Sequence, residues 1–241
     1  MKICVDAGHN FDKFDTGAVG NGLKEQDITF KIADKLKELL IKTNVGVTMT
    51  RAKLTDNVGV NAKDSINERA RIANTTRCDL FVSIHCNSST SKSARGTETL
   101  ICGRGGKAET LARCVTDKIS KHLGLKNRGV QVDKEYLGYT LGVLRNTNMP
   151  AILVETAFIS NEKDANLLKI KADDFAKAIA QGIFECYGIK EKKPISEPEE
   201  IVEKLSGMVE INEKKRAIEA LDKAKKENSS LYWILYKIVN K

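Results

Sequence analysis

Lys2-Ile3-Cys4-Val5-Asp6-Ala7-Gly8-His9 opens the chain as a short apolar run that halts at a glycine and a histidine, the pattern of a buried strand running out into a loop. Two later stretches have the same design: Asp79-Leu80-Phe81-Val82-Ser83-Ile84-His85 and Ala151-Ile152-Leu153-Val154-Glu155. Around these strands the apolar spacing turns helical. Glu25 to Lys42 puts Ile28, Ile32, Leu36, Leu39 and Leu40 on one face, and Asn61–Asn74, Gly106–Leu123, Asn161–Lys169 and Asp173–Tyr187 follow the same period. Val45–Arg51, Gly96–Cys102 and Leu141–Arg145 read as further strands. Strands alternating with helices of this length predict an α/β fold, a single mostly parallel twisted sheet of about six strands flanked by helices.

Past residue 188 the pattern changes. Residues 189–199 hold two of the three prolines inside a charge run and read as a linker. Residues 200–241 then predict a small all-α C-terminal domain. Ile201, Val202 and Leu205 start one amphipathic helix, Ala217, Leu221 and Ala224 lie on a second, and Leu231–Val239 forms a third. So few residues are marginal as an independent fold, and three roles are open: packing on the main domain, oligomer formation, or binding a saccharide polymer through Tyr232, Trp233 and Tyr236. Aromatics in so small a unit also serve as its core.

The formal net charge is +8, and residues 191–241 supply little of it, with 11 Lys+Arg against 10 Asp+Glu. Residues 1–190 therefore carry 29 basic against 22 acidic residues, a charge suited to an anionic polymer. Charge alone leaves open a plain solvated surface. Nothing resembles a nucleic-acid module with stacking aromatics, so no nucleic acid is expected as partner. No apolar stretch suits membrane insertion, and the first nine residues reach an acid and a histidine before any signal-like apolar run, which predicts synthesis in the cytoplasm without a signal peptide. Six cysteines without a C-x-x-C pair read as reduced and structural. Cys86 follows His85, but strand alternation turns it to the opposite face.

His9, His85 and Glu155 each end a strand-like run, and in an open α/β sheet the crevice beyond the carboxyl ends of the strands collects such residues. Glu25, after the Gly22-Leu23-Lys24 turn, can return its carboxylate to the same edge. Two imidazoles and a carboxylate suit zinc with a fourth position open to water, the arrangement of a catalytic site, and Glu155 is then the candidate to carry the proton. Taken singly, each residue is read equally well as structural: a strand-end histidine in a hydrogen bond, a glutamate complementing a helix dipole. His122, at a helix end, fits that second description.

At these residues the sequence resembles the N-acetylmuramoyl-L-alanine amidase 3 family of zinc-dependent peptidoglycan amidases. The matching segments are Ile3–His9, Asp15-Thr16-Gly17-Ala18, Gly22–Glu25, Thr50-Arg51, Arg69–Asn74, Phe81–Asn87 and Ala151–Asn161, covering residues 1–188. The resemblance implies a zinc amidase catalytic domain with one Zn2+ per chain on His9, Glu25 and His85. It further implies Glu155 as the catalytic carboxylate, and Asn87 as a brace of the metal shell or a substrate contact. Peptidoglycan is the implied partner, cut between N-acetylmuramic acid and L-alanine, with the lysis of a phage endolysin as the expected role. A mother-cell or other bacterial autolysin, a non-catalytic wall-binding module and a zinc peptidase are the alternatives. Asn10-Phe11 and Ala157 depart from glycines common in relatives, and no segment between His85 and Glu155 reads as a helix blocking the site.

Overall fold

In a computed structural model the chain divides into two compact units, Met1–Glu191 and Lys192–Lys241. The described residues are 1–190, Val202, 214–227, Ser229, Tyr232, Trp233 and Leu235. Residues 191–199 of the sequence-predicted linker and most of the first and third C-terminal helices lie outside them.

The first unit is an α/β sandwich. Six strands, β1 (Lys2–Ala7), β4 (Gly46–Met49), β5 (Leu80–Asn87), β6 (Thr97–Ile101), β7 (Asn127–Val132) and β8 (Ala151–Phe158), form one sheet in the order β4-β1-β5-β8-β6-β7. A two-stranded hairpin, β2 (Val19–Gly20) with β3 (Leu23–Lys24), stands apart from it. Every neighbouring pair of the large sheet is parallel except β6 and β8, so β6 and β7 run against the other four strands. The edge that collects the carboxyl ends of β1, β5 and β8 therefore also collects the amino ends of β6 and β7.

Side chains alternate across the sheet and make two cores. Ile3, Val5, Leu80, Val82, Ile84 and Val154 face one side, where α1 (Glu25–Ile41), α3 (Gly106–Leu123) and α7 (Ala172–Tyr187) bury Ile32, Leu36, Val115 and Phe175 against them. Cys4, Phe81, Leu100 and Leu153 face the other, under Ala73 of α2 (Ala62–Thr75) and Val143 and Leu144 of α5 (Gly142–Arg145). Asn61 caps α2 by accepting from Asp64 N, and Asn161 does the same for α6 (Glu162–Ile170) through Asp164 N. Among the described residues no helix is long and apolar enough to cross a membrane.

Three sequence expectations are corrected. Leu141–Arg145 is not a strand: Leu141 O accepts from both Leu144 N and Arg145 N, and the adjacent Val143 and Leu144 are both buried, which one face of a strand cannot achieve. Buried Asp133 fixes that turn by accepting from Leu141 N at 2.8 Å. Strand β7 and the short helix α4 (Asp133–Leu137) went unread, because Asn127-Arg128-Gly129-Val130-Gln131-Val132 is an edge strand with little apolar content. Neither His85 nor Glu155 ends its strand, since β5 continues to Asn87 and β8 to Phe158.

In the second unit, α8 (Lys214–Lys226) presents Leu221 to a small core with Val202 and Tyr232, ringed by Ala217, Ile218, Ala224 and Leu235. Tyr232 is thus a core residue, Trp233 is 43% exposed, and Tyr236 lies outside the described residues.

Candidate metal centre and active site

His9 follows β1 in a left-handed backbone conformation, φ 68°, that costs a non-glycine residue roughly 1–3 kcal/mol. Two buried guanidinium groups hold it there. Arg51 Nη1 donates to His9 O at 2.8 Å and Arg69 Nη2 to the same oxygen at 2.5 Å. Arg51 also donates to the carbonyls of Gln26 and Leu54, and Arg69 to Ala7 O and to Asp6 Oδ1 at 2.6 Å. Asp6 is enclosed further by the hydroxyls of Thr50 and Ser83, each at 2.6 Å. Burial opposes its charge, but Arg69 and these hydroxyls keep its carboxyl below the usual carboxylate range.

Glu25 is the first residue of α1, and its carboxylate is split between two tasks. Oε2 accepts from Ala18 N at 2.8 Å, and Oε1 accepts from Cys86 N at 2.8 Å while facing both histidines. Glu25 Oε1 lies 3.0 Å from His9 Nε2 and 3.2 Å from His85 Nδ1, and the two ring nitrogens are 3.1 Å apart. Asp15 Oδ1 sits 2.7 Å from His9 Nδ1, so that ring can point an unprotonated Nε2 into the triangle. Glycines make room behind it: a Cβ on Gly8 would meet His85 Nε2 at 2.5 Å, and one on Gly17, at φ 75°, would meet His9 Cδ2 at 2.6 Å and Glu25 Oε2 at 2.7 Å.

The donor triangle fits a tetrahedral zinc. Ligand distances of 2.0–2.2 Å place neighbouring donors roughly 3.3 Å apart, and these three are slightly closer. The electrostatics agree. Burial would lower the pKa of His9, yet Asp15 and Glu25 raise it to about 10, and the same histidines hold Glu25 well below its usual value although burial opposes this. Positive charge is favoured at the centre of the triangle. Among the described residues these three form the one cluster with metal-ligand geometry. Cys86 takes no part: its thiol lies in the core near Thr156 Oγ1, and burial pushes its pKa well up.

Glu155 is the direct register partner of His85 across the β5–β8 ladder, so its side chain stands beside the triangle on the same face. Its Oε2 is buried without a hydrogen-bond partner among the described residues. Burial, then the charges of Glu25 and Glu98, push its pKa well above the carboxylate range. Asn87 Nδ2 donates to Glu98 Oε1 at 2.5 Å, so it braces the sheet on the far side of Glu155. Glu98, fully buried and paired in register with Glu155, was not singled out from the sequence, nor was its ion-pair partner Arg128 at 3.2 Å.

Residues 3–185 match the N-acetylmuramoyl-L-alanine amidase (amidase 3) family. The chain belongs to this amidase family. It is 35% identical over 203 residues to an endolysin of Bacillus phage SPP1, covering 81% of this chain and 69% of that protein. With the N-acetylmuramoyl-L-alanine amidase LytC of Bacillus subtilis it shares 33% over 189 residues, 77% of this chain but 35% of LytC. The CwlD amidase of Clostridioides difficile, solved with the GerS lipoprotein, superposes with a TM-score of 0.69 at 26% identity, covering 78% of this chain and 99% of that one. The catalytic domain of the amidase CwlV from Bacillus (Paenibacillus) polymyxa gives 0.67 at 29%, with the same coverage. The amidase fold thus accounts for the first unit, and the matched segment stops short of the second.

Proposed function

We propose that the first unit hydrolyses the amide bond between N-acetylmuramic acid and L-alanine in peptidoglycan, with zinc on His9, Glu25 and His85 and with Glu155 as the proton carrier. The observation that carries this reading is the convergence of three donor atoms within 3.2 Å of one another beside a carboxylate whose Oε2 has no hydrogen-bond partner among the described residues. Zinc held by His9, Glu25 and His85 would supply Lewis-acid chemistry and lower the pKa of water toward ~7. Glu155 takes a proton from the attacking water and returns it to the departing nitrogen of L-alanine; its Oε2, without a hydrogen-bond partner among the described residues, is available for both transfers. His9 is kept in the correct tautomer by Asp15, and Glu25 is kept to one inward oxygen by the Ala18 amide.

The test joins metal and bond. Purified protein should carry one zinc per chain and release new amino termini on L-alanine from peptidoglycan, with no new reducing sugars. Glu155→Ala should retain the zinc and lose turnover by at least ~10²-fold. Near-normal wall lysis by that variant would remove Glu155 from the mechanism, and new reducing ends would make the enzyme a glycosidase. The lytic role is proposed as that of an endolysin, supported by the phage relative, and genes for a membrane-lesion protein beside this one would be the corresponding observation. For the second unit a wall-binding role rests on the exposed indole of Trp233. If the full chain and a chain ending at residue 191 sediment equally with cell walls, that role is lost.

A further inference from the structure

The row of ionisable side chains does not end at Glu155. His85 on β5 pairs in register with Glu155 on β8, and Glu155 with Glu98 on β6. Glu98 is ion-paired through Oε2 to Arg128 Nε on β7 at 3.2 Å. Four neighbouring strands thus each contribute one charged or ionisable group along the same sheet edge. Arg128 is the outermost, and the side opposite the metal triangle is its own.

Its guanidinium is held on three sides. Nε faces the buried carboxylate of Glu98, Nη2 donates to Tyr136 Oη at 2.9 Å, and the plane lies over the Phe158 ring with Cζ 5.0 Å from the centroid. Glu98 is fixed in turn by Asn87 at 2.5 Å and by Tyr136 Oη at 3.3 Å. Nη1 has no hydrogen bond among the described residues, and the side chain is 25% exposed. A fork immobilised in this way has already lost its rotamer freedom, so a ligand anion docking on the remaining N–H groups does not bear that entropy. Tyr136, 44% exposed on the following segment, borders the guanidinium with its ring.

We propose that Arg128 is an anion-recognition subsite that takes a carboxylate of the peptide stem, beyond the scissile amide. The inference rests on the amidase reading above. A planar carboxylate matches the fork of a guanidinium, whereas a neutral carboxamide presents one acceptor and a repelling NH2 group. Glu98 serves as the positioning residue that keeps the fork aimed.

Two muramoyl-peptide substrates, alike except that the first stem carboxylate is free in one and a carboxamide in the other, test this directly. The wild-type enzyme should favour the free carboxylate by on the order of tenfold in kcat/KM, mostly through KM. The Arg128→Met/Glu98→Gln double variant, which leaves no unpaired buried charge, should lose that discrimination, and Arg128→Lys should keep part of it. Equal cleavage of both substrates by wild type overturns the subsite whether or not the variants fold, as does a double variant that still discriminates. A wild-type enzyme that releases L-alanine termini from neither substrate defeats the amidase reading instead.

Discussion

The two flanks of Glu155 are built by opposite means. On the His85 side, three donors are aimed at a common point by backbone: glycines that leave space, an αL residue, and two buried arginines that grip carbonyl oxygens. On the Glu98 side, polar side chains hold one another, carboxylate to guanidinium to phenol, with no metal-binding geometry. The first arrangement demands placement to a few tenths of an ångström and receives it from backbone that the buried Arg51 and Arg69 hold in place. The second fixes a single guanidinium through side-chain contacts alone, at the exposed end of the row.

The contrast can be broken in order of expected effect. His85→Ala removes a donor from the triangle and should abolish both zinc content and amide hydrolysis while the circular dichroism spectrum is retained; one zinc per chain in this variant would move the centre elsewhere. Arg69→Met leaves Asp6 buried without its cation and should destabilise the first unit by roughly 3–5 kcal/mol, read from the denaturant midpoint. A loss below ~1 kcal/mol would mean that the network is not the support described. Asp15→Asn should weaken zinc by roughly 10–100-fold with little change in the metal-free melting temperature, measured by competition with a chelator. Last comes acid sensitivity. The Asp6 carboxyl is held below its unfolded value, so its stabilisation is fully present above pH ~4 and is lost as the pH falls through the lower folded value. Asp6→Asn should therefore melt lower at neutral pH but show a flatter acid limb; an unchanged limb would assign acid unfolding to other carboxylates.

The same contrast explains what could be read from the sequence. His9, His85 and Glu155 each close an apolar run, and the carboxyl ends of parallel strands are where ligands gather, so those strands and that edge were legible. Glu25 needed the family resemblance to be chosen over a helix-dipole role. Glu98 and Arg128 were invisible to the same rule because β6 and β7 run the other way, placing the second residue of each strand at the site edge. Strand polarity is a product of tertiary pairing and leaves no mark in local pattern. Leu141–Arg145 failed for a related reason: alternation over five residues cannot exclude a single helical turn fixed by a distant aspartate.

The cross-strand row carries one more consequence. Side chains on a strand change face with every residue, so a slip of β8 by one position against β5 would put Val154 or Thr156 beside His85 and turn Glu155 to the core. β5 and β8 are neighbours in space but far apart in the chain, and no partial fold aligns them. The pairing of His85 with Glu155 therefore exists only once two distant stretches of the chain have met in this one register.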